Sequence, residues 1–295
     1  MSEHDSLTGL TQSTFDYDDT SRMADTDKGK IHYHEAGTGP VLLMIHGSGP
    51  GVSGWANFQN NLPVFAQYFR CLIIDLPGYG KSEPVEGNPV IECVSACIRL
   101  LDSLGIEQAH IIGNSLGGIV GGYLAAQHPD RVSRYVTIGG LGMNLFSPFP
   151  CEGLNLLTEF VEDPTRERIV AWLRSMVFDQ TMVTEELIES RMKSATEAVT
   201  LATSRVMYSR GSQQAMAAAF RGPDAVQRIA HLGSITVPTL ITWGRDDRVT
   251  PVDMALIPMR LIPHAELHIF PNCGHWAMIE RKDEFENVVL AFLQR

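Results

Sequence analysis

The sequence predicts an α/β fold: a mostly parallel central sheet flanked by helices and interrupted by a helical insertion. Three observations predict it. Short apolar runs stopped by glycine or proline alternate with helical stripes, and such alternation implies right-handed crossovers and a parallel sheet. Residues 144–220 then hold several helical stretches and no convincing strand. Strand character returns after them, so a core formed by 1–143 and 221–295 is split by an insertion. A connection that long is usually functional, often a lid over a site.

In chain order, "MSEHDSLTGLTQSTFDYDD" is acidic and polar. It reads as a loosely held tail or edge, and without a basic region and apolar core it is no signal peptide. "GKIHYHEAG" (29–37) alternates and ends in a turn, which predicts an edge strand with His32 and His34 on one face. An H-x-H pair can bind metal, but no Cys/His/carboxylate cluster is evident to complete a site. "VLLMIHG" (41–47) and "CLIIDLPGYG" (71–80) fit strands buried on both faces. "VIECVSACIRLLDSLG" (90–105) carries a helical stripe of Ile91, Val94, Ile98 and Leu101. A strand at 110–114, a helix at 116–127 and a strand at 134–140 follow. The insertion contributes Phe146, Phe149, Trp172 and Phe178 as apolar candidates. After it, 237–244 and 265–270 read as strands. A closing helix places Phe285, Val288, Val289 and Phe292 on one face.

Composition narrows the function. The 295 residues are 44% hydrophobic and 19% charged, ordinary for a globular chain. A net charge of -11 argues against a general nucleic-acid binder, which needs a basic footprint. It leaves room for a local basic spot, so single arginines in apolar contexts matter. No apolar run approaches the ~20 residues needed to span a bilayer. The five cysteines are odd in number and irregular in spacing, and Cys93 and Cys97 read as small helix residues. The expectation is a reduced, cytoplasmic protein.

Gly113-Asn114-Ser115-Leu116-Gly117 is a G-x-S-x-G frame between an apolar strand and an apolar helix. A nucleophile elbow needs that context: a sharp turn lifts the serine above the sheet while glycines relieve crowding. The hydroxyl needs a base, and the base an orienting carboxylate. "GRDDRVTP" and "PNCGHWAMIE" follow two late strands, where open α/β sheets place their sites. His275 is the candidate base. Asp246 and Asp247 compete for the third role, and spacing alone does not choose between them. Two N–H donors must hold an oxyanion: the amide of Leu116 and, from "HGSGPG", that of Ser48. His46, which opens that loop, reads as a structural hydrogen-bonder.

Arg191 stands out on physical grounds. Thr184 can cap a helix whose first turn holds Glu185 and Glu186. Leu187, Ile188 and Ala195 share a face with Arg191. A guanidinium on an apolar face needs a partner: a core carboxylate, water reached by snorkelling, or the oxygens of a substrate, which suit its planar fork.

Together these residues resemble the α/β-hydrolase superfamily across nearly the whole chain. "HGSGPGVSGWANF" (46–58), "DLPGYGKS" (75–82), "GNSLGG" (113–118), "TEELIESR" (184–191), "WGRDDRVTP" (243–251) and "CGHWA" (273–277) are similar to the meta-cleavage product hydrolases, carbon–carbon bond hydrolases of aromatic-ring degradation. The resemblance implies Asp247 as the acid, last in Gly244-Arg245-Asp246-Asp247. It implies that Asn57, Asn114, Arg191 and Trp276 line the substrate site. Leu116 stands where many members carry methionine, but only its amide is needed. The implied substrate is a small anionic 2-hydroxy-6-oxohexa-2,4-dienoate, handled by a Ser115–His275–Asp247 triad without metal or cofactor. The implied assembly is a homo-oligomer, dimer or larger. A carboxylesterase or thioesterase on the same triad, or a catalytically silent ligand receptor, are the alternatives; neither an esterase nor a thioesterase accounts for Asn57, Arg191 and Trp276.

Overall fold

The computed structural model describes residues 15–295. Most of the expected acidic tail, residues 1–14, lies outside the described residues. The rest forms one eight-stranded sheet: β1 (Ser21–Thr26), β2 (Gly29–Ala36), β3 (Val41–Ile45), β4 (Arg70–Ile74), β5 (Ala109–Asn114), β6 (Val132–Ile138), β7 (Thr239–Gly244) and β8 (Ala265–Phe270). Their spatial order is β1-β2-β4-β3-β5-β6-β7-β8. Only the β1–β2 and β2–β4 pairs are antiparallel; the remaining pairs are parallel.

The parallel strands are apolar throughout because both faces are covered. Leu42, Met44, Ile73, Ile112 and Val136 pack into one buried cluster, and Leu43, Ile45, Leu72, Ile74 and Ile111 into the other. The period-two alternation of the strand therefore appears as two cores. From β3 the chain crosses outward to β4, and from β5 it crosses the opposite way to β6. Neighbours β3 and β5 thus mark a topological switch point, and the crevice beyond their carboxyl ends is where such sheets bind ligands.

Helices cover both faces. A short α1 (Gly54–Phe58) follows β3. Then α2 (Pro89–Ser103) starts with proline in its first turn, and the Asn88 side chain accepts from the amides of Val90 and Ile91. After β5, α3 (Leu116–Gln127) begins directly at the elbow. Between β6 and β7 lie α4 (Glu152–Glu162), α5 (Arg166–Met176), α6 (Glu185–Ala195), α7 (Ala198–Tyr208) and α8 (Arg210–Arg221). The chain closes with α9 (Ala277–Glu280) and α10 (Lys282–Leu293).

Two expectations need correction. The 29–37 strand is not an edge: β1 pairs with its residues 29–34, and β4 takes its other side at 33–36. In α2, Ile91 is 61% exposed, and the buried face runs through Cys93, Val94, Ala96, Cys97, Leu100 and Leu101. The two cysteines, small and apolar, belong to that buried face. No helix among the described residues is long and apolar enough to cross a membrane.

Candidate active site

The elbow follows from the tightness of the turn. Ser115 holds φ +53°, a strained region for a residue with a Cβ. Glycine on either side makes room. A Cβ on Gly113 would stand 2.1 Å from the Gly117 carbonyl oxygen, and one on Gly117 would stand 2.1 Å from that of Ile45. Ser115 N donates to the Ile138 carbonyl at 2.8 Å. The strain is thus held by the neighbouring strand, and the side chain projects into a cavity of about 60 Å³.

The same cavity is lined by Ser48, Asn57, Asn114, Trp172, Arg191 and His275, with Trp276 and Tyr208. His275 Nδ1 lies 2.7 Å from Asp247 Oδ2, both side chains almost fully buried. Asp247 also accepts from the amides of Val249 and Thr250 at 2.8 and 2.9 Å. These donors lock the carboxylate in place. The Thr250 hydroxyl stands 2.8 Å from Asp247 Oδ2 and 2.9 Å from the Gly139 carbonyl oxygen. Asp246 points away: it pairs with Arg245 at 3.2 Å and accepts from Cys273 N. Adjacent residues in this short loop thus serve opposite sides. Ser115 and His275 share the cavity wall, and among the described residues no hydrogen bond joins them. Catalytic contacts of this kind often tighten only with substrate bound.

The loop after β3 is pinned at three points. Gly47 N donates to Asn57 Oδ1 at 3.0 Å, the Tyr79 hydroxyl donates to the Ser48 carbonyl at 3.3 Å, and Ser48 Oγ shares a hydrogen bond with the Tyr208 hydroxyl. The Ser48 amide keeps no partner among the described residues. The Leu116 amide opens α3, where the first N–H groups have no intrahelical acceptor. Both donors border the elbow: a Cβ on Gly47 would lie 3.3 Å from Ser115 Cβ. His46 spends its ring on backbone, accepting from Leu76 N at 3.0 Å through Nε2 and facing the Gly47 carbonyl through Nδ1. Burial lowers its pKa, so it is held neutral.

Arg191 is 7% exposed, so it does not snorkel, and among the described residues no carboxylate pairs with it. Burial pulls its pKa down to about 10, which leaves it charged at neutral pH. Its guanidinium stands 5.6 Å from the Trp276 ring centre. Trp172 Nε1–H, on the same cavity, is also buried without an acceptor. Both residues line one small space, and among the described residues neither the guanidinium nor the indole N–H has an acceptor. Asn57 already accepts through Oδ1, which leaves its Nδ2 as the donor it can offer. Asn114 Nδ2 donates to the Ile138 carbonyl at 3.2 Å, so this residue also ties β5 to β6.

Of the four insertion aromatics, Trp172 is buried in this cavity and Phe149 lines its continuation, while Phe146 and Phe178 are exposed at 80% and 48%. Sequence reasoning missed Tyr208, Thr250 and Glu280. Glu280 accepts from Gly274 N at 2.7 Å and from Phe178 N at 2.7 Å, joining the His275 loop to the insertion. Tyr208 and Glu280 meet Ser48 and Phe178 across long stretches of chain, which no local pattern marks, and the bond from Thr250 to Asp247, three residues before it, depends on how one short loop turns. Among the described residues no group of three or more His, Cys, Asp or Glu could hold a metal.

This arrangement defines a serine hydrolase of the α/β class, and the comparisons with known proteins agree. The family model of the alpha/beta hydrolase fold matches residues 40–282. A 2-hydroxy-6-oxo-6-phenylhexa-2,4-dienoate hydrolase from Burkholderia cepacia is 35% identical, covering 97% of this chain and 99% of its own. A 2-hydroxy-6-oxononadienedioate/2-hydroxy-6-oxononatrienedioate hydrolase from Burkholderia vietnamiensis is 38% identical over 90% and 91%. The meta-cleavage product hydrolase CumD of Pseudomonas fluorescens superposes with a TM-score of 0.82 at 30% identity, covering 92% of this chain and 97% of that one. The chain belongs to the α/β-hydrolase family and, within it, to the meta-cleavage product hydrolases.

Proposed function

We propose that the protein hydrolyses the C5–C6 bond of a 2-hydroxy-6-oxohexa-2,4-dienoate, giving 2-hydroxypenta-2,4-dienoate and a carboxylic acid. The observation that carries this reading is Arg191: a buried guanidinium without a carboxylate, on the same cavity as Ser115. An ester hydrolase has no use for it. A dienoate brings a carboxylate and a 2-oxygen that pair with it, and Asn57 and Trp172 add donors beside them.

The chemistry proceeds in two stages. The dienol first becomes the 2-keto tautomer: the 2-hydroxyl loses its proton and C5 gains one. Arg191 stabilises the developing charge at the 2-oxygen, and His275 moves the proton. Ser115 then gives its proton to His275 and adds to the C6 ketone, whose oxygen takes the negative charge between the Ser48 and Leu116 amides. Collapse breaks C5–C6, and the electron pair runs through the enone to the 2-oxygen as a dienolate, which is protonated on release. Water, deprotonated by His275, hydrolyses the acyl-Ser115. Asp247 fixes the His275 tautomer and supports its charge.

The test is incubation of the purified protein with a yellow ring-fission product beside a simple aryl ester. The expected outcome is bleaching of the dienoate with kcat/KM far above that of the ester. Ester turnover without bleaching would assign an esterase, and tight binding without turnover a receptor. Five unpaired, buried cysteines support a reducing cytoplasm. The open β8 edge, with Ile269 40% exposed, is compatible with a homo-oligomer, dimer or larger, which light scattering would measure.

A further inference from the structure

The loop after β3, which offers one oxyanion donor, has little stiffness of its own. Glycine occupies 47, 49 and 51, and glycine leaves a backbone free to turn. The loop's place is set by what surrounds it, and the insertion is a large part of those surroundings. A Cβ on Gly49 would lie 2.8 Å from the Trp172 ring on α5, and one on Gly51 would lie 2.9 Å from Ser194 Cβ on α6. The third approach comes from α7, whose last residue, Tyr208, shares a hydrogen bond with Ser48 Oγ.

That bond is one half of a clamp. The Tyr79 hydroxyl, from the loop after β4, donates to the Ser48 carbonyl at 3.3 Å and lies 3.8 Å from Met207 Sδ, next to Tyr208. Two tyrosines thus hold the side chain and the carbonyl of Ser48, while its amide keeps no partner among the described residues. Ser48 is buried, and it lines one cavity together with Ser115 and Tyr208. An oxyanion donor acts only when it is held within about 0.5 Å of its working place, so whatever seats Ser48 bears on the rate.

We propose that Tyr208 is a positioning residue for carbon–carbon cleavage: by holding Ser48 Oγ it seats the Ser48 amide against the oxygen of the C6 ketone. The proposal rests on the dienoate reading and on the Ser48 amide as an oxyanion donor. It makes assembly of the oxyanion site depend on the insertion, because the clamp is complete only with α7 against the core. The two stages of the reaction then differ in their need for it. Ketonisation moves charge at the 2-oxygen beside Arg191, whereas full charge reaches the C6 oxygen when Ser115 adds. Tyr208 therefore serves the second stage.

The experiment is single-turnover stopped-flow on the full chain with 2-hydroxy-6-oxo-6-phenylhexa-2,4-dienoate, comparing wild type, Tyr208→Phe, Ser48→Ala and the double variant. In Tyr208→Phe, substrate binding and loss of the dienol absorbance are expected to stay within about twofold of wild type. Decay of the keto intermediate should slow about 30-fold, less than the about 10²–10³ lost when an oxyanion donor is deleted outright. Ser48→Ala keeps the amide but loses Oγ, so it should slow the same step by a similar factor. The double variant should be no slower than either single one, because all three remove one bond. An aryl ester, which needs the oxyanion site but no ketonisation, should lose kcat to the same extent in Tyr208→Phe. Equal slowing of both stages, weaker binding with the cleavage rate unchanged, or single effects that multiply in the double variant would each overturn the proposal while leaving the dienoate reading intact. If no dienoate turned over, the dienoate reading would fall and the ester would decide the proposal: an unchanged kcat in Tyr208→Phe would overturn it. Ser48→Ala tests the same bond from its other side if Tyr208→Phe does not fold.

Discussion

Two buried histidine–aspartate pairs stand in this molecule, and they are nearly identical at contact. His275 meets Asp247 and His32 meets Asp75, each with Nδ1 to Oδ2 at 2.7 Å and each almost wholly out of water. They differ at the far nitrogen. His32 Nε2 meets Ser21 Oγ at 2.8 Å, under the rings of Tyr17 and His34. His275 instead borders a cavity shared with an elbow serine and a buried arginine. Asp75 spends its other contacts on scaffolding, accepting from Gly54 N at 2.7 Å and Lys81 N at 3.0 Å. The pair itself is therefore not the functional signal. What sets apart the dyad proposed as catalytic is an open second nitrogen and an elbow serine on the same cavity.

The comparison can be broken by substitution. Ser115→Ala is expected to lower kcat on the dienoate by about 10⁶ if serine is the nucleophile. Stopped-flow spectra should still show the keto intermediate; product release at the wild-type rate would remove nucleophilic catalysis from the mechanism. Asp247→Asn should cost about 10⁴ in kcat, because the tautomer is lost while the geometry survives. Asp75→Asn is the matched control: it should leave kcat within about threefold yet cost about 3 kcal/mol of stability, as a broken buried pair does. Steady-state kinetics and urea denaturation of the two variants check the two halves, and equal effects on kcat would erase the distinction. Arg191→Met should raise KM about 100-fold or more on the dienoate, with far less effect on a neutral aryl ester.

The smallest effect concerns pH. Burial, reinforced by His32, lowers the His34 pKa to about 4. The unfolded chain then binds a proton near the ordinary histidine value of 6.5 that the folded chain refuses until about 4. Stability should fall as pH drops through that window. The dependence of Tm on pH between those values should be shallower in His34→Gln. Asp75 works at lower pH. Burial pushes its carboxyl up, but hydrogen bonds from His32 and from the Gly54 and Lys81 amides, with His46 nearby, outweigh this and leave it below its usual value. Its contribution is present above the unfolded pKa and is lost as pH falls through the folded one.

The same contrast shows what a sequence makes legible. The elbow was readable because strand, glycine frame and helix are contiguous, and α3 begins at Leu116, as expected. The parallel strands were readable from apolar runs, and β8 occupies 265–270. His32 and Asp75 gave no sign of their pairing, because β2 and the loop after β4 meet only through the sheet. β1 escaped notice because "SRMADT" is mostly polar; it exists because β2 offers an unpaired edge. The rivalry of Asp246 and Asp247 was undecidable from spacing, since it turns on side-chain direction within one loop. Arg191 was the exception: a charge on an apolar face is conspicuous before any fold is known.

The helical insertion is fastened unevenly. His275 N donates to the Met176 carbonyl at 2.7 Å, Glu280 grips the amides of Phe178 and Asp179, and Gly153 N donates to the Arg248 carbonyl. All three tie it to the loops that bear Asp247 and His275. For anyone exchanging parts between relatives, the insertion is therefore no interchangeable cassette. A graft of 152–221 alone would separate His275 from the carbonyl that seats it. The smallest unit that keeps these three ties is the insertion together with 245–250 and 273–280, three pieces far apart in the chain.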